Sequence, residues 1–80
     1  MLNVATPTKL RQIRESLGIS QDALARRTRS VSVSTYVRLE RGAHAARYDT
    51  ATQILDAINE LLREREKPEL ELKDLELRLY

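Results

Sequence analysis

Residues 21–42, QDALARRTRSVSVSTYVRLERG, decide the fold of this chain. Leu24, Ala25 and Thr28 recur at helical spacing in the first part of the stretch, and Ser20 is placed to cap a helix Gln21–Thr28. Arg29-Ser30-Val31 then makes a tight turn. A second helix begins at Ser32, a good N-cap, and runs to Arg41, with Gly42 as its stop. At about 100° per residue, Thr35, Tyr36 and Leu39 fall on one side of this second helix, and Val33, Ser34, Val37, Arg38 and Arg41 on the other. The first side is suited to a core and the second is free to meet a partner.

The flanks extend the pattern. Residues 1–5 read as a loose arm. Thr6-Pro7 supplies an N-cap and a proline fitted to the first helical position, and Leu10, Ile13 and Leu17 follow at i, i+3, i+7 before Gly18 closes the helix. After a loop from Gly42 to Tyr48, Asp49 is placed to cap a long helix from Thr50 to about Glu66. Its apolar positions Ala51, Ile54, Leu55, Ile58, Leu61 and Leu62 repeat at 3–4 spacing until Pro68 ends it. Residues 6–67 thus form one helical domain.

Residues 68–80 change character. Read as a strand, Leu75, Leu77 and Leu79 share one face, with Glu76 and Arg78 on the other. Leu70 and Leu72 have the wrong parity to join them, which places a bulge or turn at Lys73-Asp74. Wound as a helix, Leu72, Leu75 and Leu79 would cluster instead. The strand reading is preferred, and a lone strand needs a partner, which a second copy supplies about a two-fold axis. Leu75, Leu77 and Leu79 are then dimer-interface residues. The duller alternative is a local hairpin covering the subunit's own core. The expected architecture is mainly α: a small bundle of four helices, the fourth long, with a short C-terminal β-strand.

Eighty residues allow one small domain. The chain has no cysteine, which excludes disulfides and cysteine-ligated zinc and suits a reducing cytoplasm. No apolar run approaches the roughly 18 residues of a membrane span, and no signal-peptide pattern is present. A single histidine, only two glycines and no phosphate-cradling loop give no support to an enzyme, a cofactor or a metal site. The net charge of +2 conceals a division: residues 1–48 carry nine basic and three acidic side chains, residues 49–80 five and nine. Such asymmetry suits a domain that meets a polyanion on one side, and the exposed edge of the second helix is what a helix in a DNA major groove needs.

The string LRQIRESLGISQDALARRT followed by VSVSTYVRLERG resembles the DNA-binding domain of phage repressors and Cro proteins, the Xre-type helix-turn-helix family. The likeness covers about residues 8–62. Its markers are Leu17-Gly18, Ser20-Gln21, Leu24-Ala25, Val31-Ser32 and Leu39-Glu40-Arg41-Gly42. The chain departs from the family in the turn, where Arg29-Ser30 replaces the usual single glycine and adds a residue. The resemblance implies base contacts from Ser32, Val33, Ser34, Val37 and Arg38, with the Arg38 guanidinium bridging guanine O6 and N7. It implies backbone contacts from Gln21, Arg41, His44 and Arg47, with weaker claims for Arg26, Arg27 and Arg29. It also implies a structural ion pair between Arg14 and Glu40.

These readings converge on a cytoplasmic, homodimeric transcriptional repressor of prokaryotic or phage origin that binds double-stranded DNA at a palindromic operator. The competing reading is a DNA-binding antitoxin or anti-regulator whose acidic C-terminal half binds a partner protein, a toxin or another regulator.

Overall fold

The computed structural model describes residues 7–80. Four helices form in chain order: α1 Lys9–Ser16, α2 Gln21–Arg27, α3 Val33–Glu40 and α4 Tyr48–Glu64, the fourth by far the longest. The four-helix bundle expected from the apolar spacing is therefore present. The arm at residues 1–5 and the cap at Thr6 lie outside the described residues.

Capping side chains explain where three helices start. The hydroxyls of Thr8, Ser20 and Ser32 accept the amides of Arg11, Ala23 and Thr35 at 3.2, 3.0 and 3.1 Å. Helix α1 thus begins two residues later than Thr6-Pro7 suggests, because Thr8 is the capping threonine. Helix α4 begins earlier than expected, with Arg47 in the cap position and no side-chain cap bond. Asp49 instead sits in its first turn, where a carboxylate suits the positive end of the helix dipole. At its far end Glu66 adopts φ 56°, and the Lys67 amide donates to the Leu62 carbonyl at 2.9 Å, closing the helix before Pro68.

The turn between α2 and α3 achieves its bend without glycine and without positive φ. The Thr28 hydroxyl donates to the Ala25 carbonyl (2.6 Å) and accepts the Val31 amide (3.1 Å). Gln53 of α4 holds the outside of the turn, its Oε1 accepting the Ser30 amide at 2.9 Å and its Nε2 donating to the Ser30 hydroxyl at 3.0 Å. Side chains do here what a left-handed glycine does elsewhere.

The core is aliphatic around one aromatic ring: Leu10, Leu24, Tyr36, Ile54, Ile58 and Leu75 are all fully buried. Leu75 belongs to the segment after Pro68, and there the structure corrects the strand reading. Asn59 of α4 grips the Leu70 backbone from both sides, donating to its carbonyl at 3.0 Å and accepting its amide at 2.8 Å. A 3₁₀ turn, Leu72–Leu75, follows and packs on α4 and α1. It is stabilised by Asp74, whose carboxylate accepts the Glu71 amide at 2.8 Å. Glu76 then turns left-handed at φ 51°, and the chain finishes extended, with a single parallel bridge between Leu79 and Ala46.

The physical reason is demand for cover. Leu70, Leu72 and Leu77 pack half-buried on the same core that swallows Leu75, which is 1% exposed. Leucines of both parities reach one side only if the backbone winds between them. Leu75 is consequently buried in its own subunit, Leu77 is half-buried there, and Leu79 alone of the three stays 41% exposed.

Candidate nucleic-acid interface

Helix α3 has one buried side and one open side. Tyr36, Leu39 and Glu40 are buried; Ser32, Ser34, Arg38 and Arg41 are exposed, and Val33 and Val37 are half-buried at the margin. Thr35, assigned to the core side by helical angle, is exposed, and its hydroxyl oxygen accepts from Ser32 at 3.0 Å. All five residues implied as base readers, Ser32, Val33, Ser34, Val37 and Arg38, therefore fall on or beside the open side. Val33 also packs against the core, which limits how far its methyls project.

What holds α3 at a fixed angle is a cluster around Glu40. Arg14 of α1 forks onto its carboxylate, Nε to Oε2 at 2.7 Å and Nη2 to Oε1 at 3.0 Å, while Nη1 reaches the Ile19 carbonyl at 2.9 Å. Gln21, the first residue of α2, donates to Oε1 at 3.0 Å. The Thr8 hydroxyl donates to the Glu40 carbonyl at 2.6 Å, joining the start of α1 to the end of α3. The expected Arg14–Glu40 pair thus exists between α1 and α3, and Gln21 extends the cluster to α2. Its side chains are 14% and 4% exposed, so the bidentate geometry operates with little competition from water.

The electrostatics follow from burial and pairing. Burial pushes the Glu40 carboxyl upward, but hydrogen bonds from Arg14 and Gln21 outweigh it and hold the carboxyl below its usual range. The same bond to Glu40 raises Arg14 above an already high value. The Tyr36 phenol is driven up by burial first and by the adjacent Glu40 carboxylate second, though no hydrogen bond of good geometry joins its hydroxyl to a partner among the described residues. A buried phenol beside a carboxylate can only stay neutral.

Beside this brace a shallow cleft opens between α1, α2 and α3, lined by Arg11, Arg14, Gln21, Val37, Glu40 and Arg41. Gln21 is half-buried and one of its amide hydrogens is engaged by Glu40, which leaves the second available to another acceptor. Arg38, Arg41 and Arg47 are exposed, and no carboxylate among the described residues stands within ion-pair distance of them. His44 is exposed in the same loop. Arg26 and Arg27 have partners instead, Asp22 at 2.7 Å and Glu60 at 2.8 Å, which weakens their claim on phosphate. Sequence reading missed Gln53, which sets the turn, and Arg78, whose guanidinium reaches the Gly42 carbonyl at 3.2 Å. No local signal in the sequence marks either contact.

A small helical domain with one helix braced from behind and presenting serine, valine and arginine outward defines a DNA-binding module of the helix-turn-helix class. The chain matches a helix-turn-helix family over residues 10–75 and belongs to that family, the Cro/Xre-type DNA-binding regulators. Neither a curated protein nor a solved structure matches it. No helix among the described residues is long and apolar enough to cross a membrane.

Proposed function

We propose that this regulator acts in the cytoplasm as a homodimeric repressor, reading a palindromic operator with Ser32, Val33, Ser34, Val37 and Arg38. The supporting observation is that the open side of α3 is held in place by a buried three-helix brace. A rigid reading helix loses little conformational freedom on docking. Gln21, Arg41, His44 and Arg47 meet backbone phosphates and set the register, while sequence is read at base edges. Arg38 makes the bidentate contact to guanine.

The exposed large apolar side chains among the described residues are Tyr48, Leu79 and Tyr80, and Tyr48 and Tyr80 line one hollow with Arg47. We place the two-fold contact at this patch, next to the loop that follows α3. The antitoxin reading draws on the acidic surplus of residues 49–80. It is weakened by the packing of residues 70–77 onto their own subunit, which leaves little of that segment to wrap a partner.

Selection of bound duplexes from a random pool tests the proposal. The expected product is an inverted repeat whose half-sites lie one helical turn, about 34 Å, apart or a multiple of it. Single or directly repeated half-sites would contradict a two-fold dimer, and an unenriched pool would contradict sequence reading. On the selected site, Arg38→Ala is expected to lose about 1–3 kcal/mol while binding to random duplex changes little.

A further inference from the structure

The extended residues Arg78–Tyr80 lie along the loop that follows α3. The Ala46 amide donates to the Arg78 carbonyl at 2.7 Å, and the Tyr80 amide donates to the Ala46 carbonyl at 3.0 Å. These two bonds fix the backbone from which the Arg78 side chain departs. Its Nη2 then donates to the Gly42 carbonyl at 3.2 Å, across 36 residues of sequence. Gly42 directly follows Arg41 at the end of α3, where orphan carbonyls favour a cation. Its own backbone is left-handed, φ +77°, and a Cβ there would stand 3.2 Å from the Thr8 methyl, so glycine fits this end of α3 better than any other residue.

A guanidinium carries five N–H donors, and Gly42 engages one. The Arg78 side chain is exposed, and no carboxylate among the described residues stands within ion-pair distance of it. Arg41, His44 and Arg47 belong to the same loop region, which residue 78 joins from the far end of the chain. We propose that Arg78 is a further residue of the duplex-binding face: it holds the loop after α3 through the Gly42 carbonyl and adds its charge to the group that meets DNA phosphates. This inference rests on the DNA-binding reading above.

The test is titration of a mixed-sequence duplex across a salt series, because a phosphate contact is blind to sequence. Arg78→Gln loses the charge and, being two bonds shorter, withdraws the donor from Gly42. Its plot of log affinity against log salt is expected to flatten by about 0.9, so that the affinity lost between about 50 and 200 mM salt is roughly threefold smaller than for the wild type. Arg78→Lys should retain most of the slope. Lys73→Gln, which removes the same charge from the 3₁₀ turn, should leave it unchanged. Thermal melting of each variant reports folding separately, and a single exposed bond of 3.2 Å is too little for Arg78→Gln to unfold the domain. If the wild type shows the steep slope and Arg78→Gln shares it, the inference fails while the DNA-binding reading stands. Equal flattening in Lys73→Gln would reduce the effect to net charge and also overturn it. A wild type without salt-dependent binding would remove both together.

Discussion

Glu40 is one residue with three assignments. Its side chain takes the Arg14 fork and the Gln21 amide, and its main chain takes the Thr8 hydroxyl, so the end of α3 is tied to both helices before it. Removing one partner of a buried pair strands the other, which typically costs about 3–5 kcal/mol. Glu40→Gln sits at the lower end of that range, about 3 kcal/mol, because Arg14 keeps its bond to the Ile19 carbonyl. The pH dependence has a definite sign. The folded-state carboxyl titrates below its ordinary value of 4.5, so its stabilisation is complete above that value and is lost as pH falls through the folded one. Denaturant unfolding of the wild type and Glu40→Gln should therefore show a gap that is constant near neutrality and closes in acid below about 4.5. A gap of constant size down to pH 3 would mean that the carboxylate charge contributes nothing.

At the scale of elements, the helices were legible and the segment after Pro68 was not, and the difference is one of range. Ser20 and Ser32 cap the helices that follow them because a capping bond spans three residues and is written locally. The 3–4 spacing of Ala51, Ile54, Ile58 and Leu61 likewise names its own buried stripe. Thr6 and Thr8 are equally good caps on local grounds; Thr8 is distinguished by its bond to Glu40, 32 residues away. After Pro68 the controlling contacts are all distant: Asn59 on Leu70, the α1–α4 groove under Leu75, and Ala46 against Arg78 and Tyr80. The parity break at Lys73-Asp74 did announce a turn, and the 3₁₀ turn occupies that place. The interface residues divide in the same way. Exposure of Arg38 follows from helical angle, whereas Arg78 reaches the loop only through tertiary pairing. Because Leu75 fills the groove on α1 and α4, Leu75→Ala is expected to destabilise the domain by about 2–5 kcal/mol, measured by thermal or urea unfolding. A loss under about 1 kcal/mol would show that the segment is a loose cover rather than part of the core.

On the scale of the whole molecule, two uneven distributions meet at one place. Arg38, Arg41 and Arg47, on α3 and its following loop, have no acidic partner among the described residues, while the acidic surplus lies in α4 and beyond. The exposed Tyr48, Leu79 and Tyr80 adjoin that same loop through the bridge of Leu79 to Ala46. An inverted repeat demands a two-fold axis that brings two α3 helices to one side of the assembly, and this patch is where we propose that axis passes. Deleting residues 69–80 cannot test this cleanly, since the deletion also empties the core of Leu75. Leu79→Asp is the sharper probe, because Leu79 is 41% exposed and the bonds that hold its segment are made by the backbones of Arg78 and Tyr80. The charge should be tolerated in the monomer and rejected in an apolar two-fold contact, where it would face its own copy across the axis. Sedimentation of Leu79→Asp is expected to move toward the monomer, and affinity for a two-half-site operator to fall while binding to a single half-site persists. A variant that remains dimeric, with its melting temperature unchanged, would move the two-fold axis off the patch and leave the apolar edge beside Ala46 without the role proposed for it.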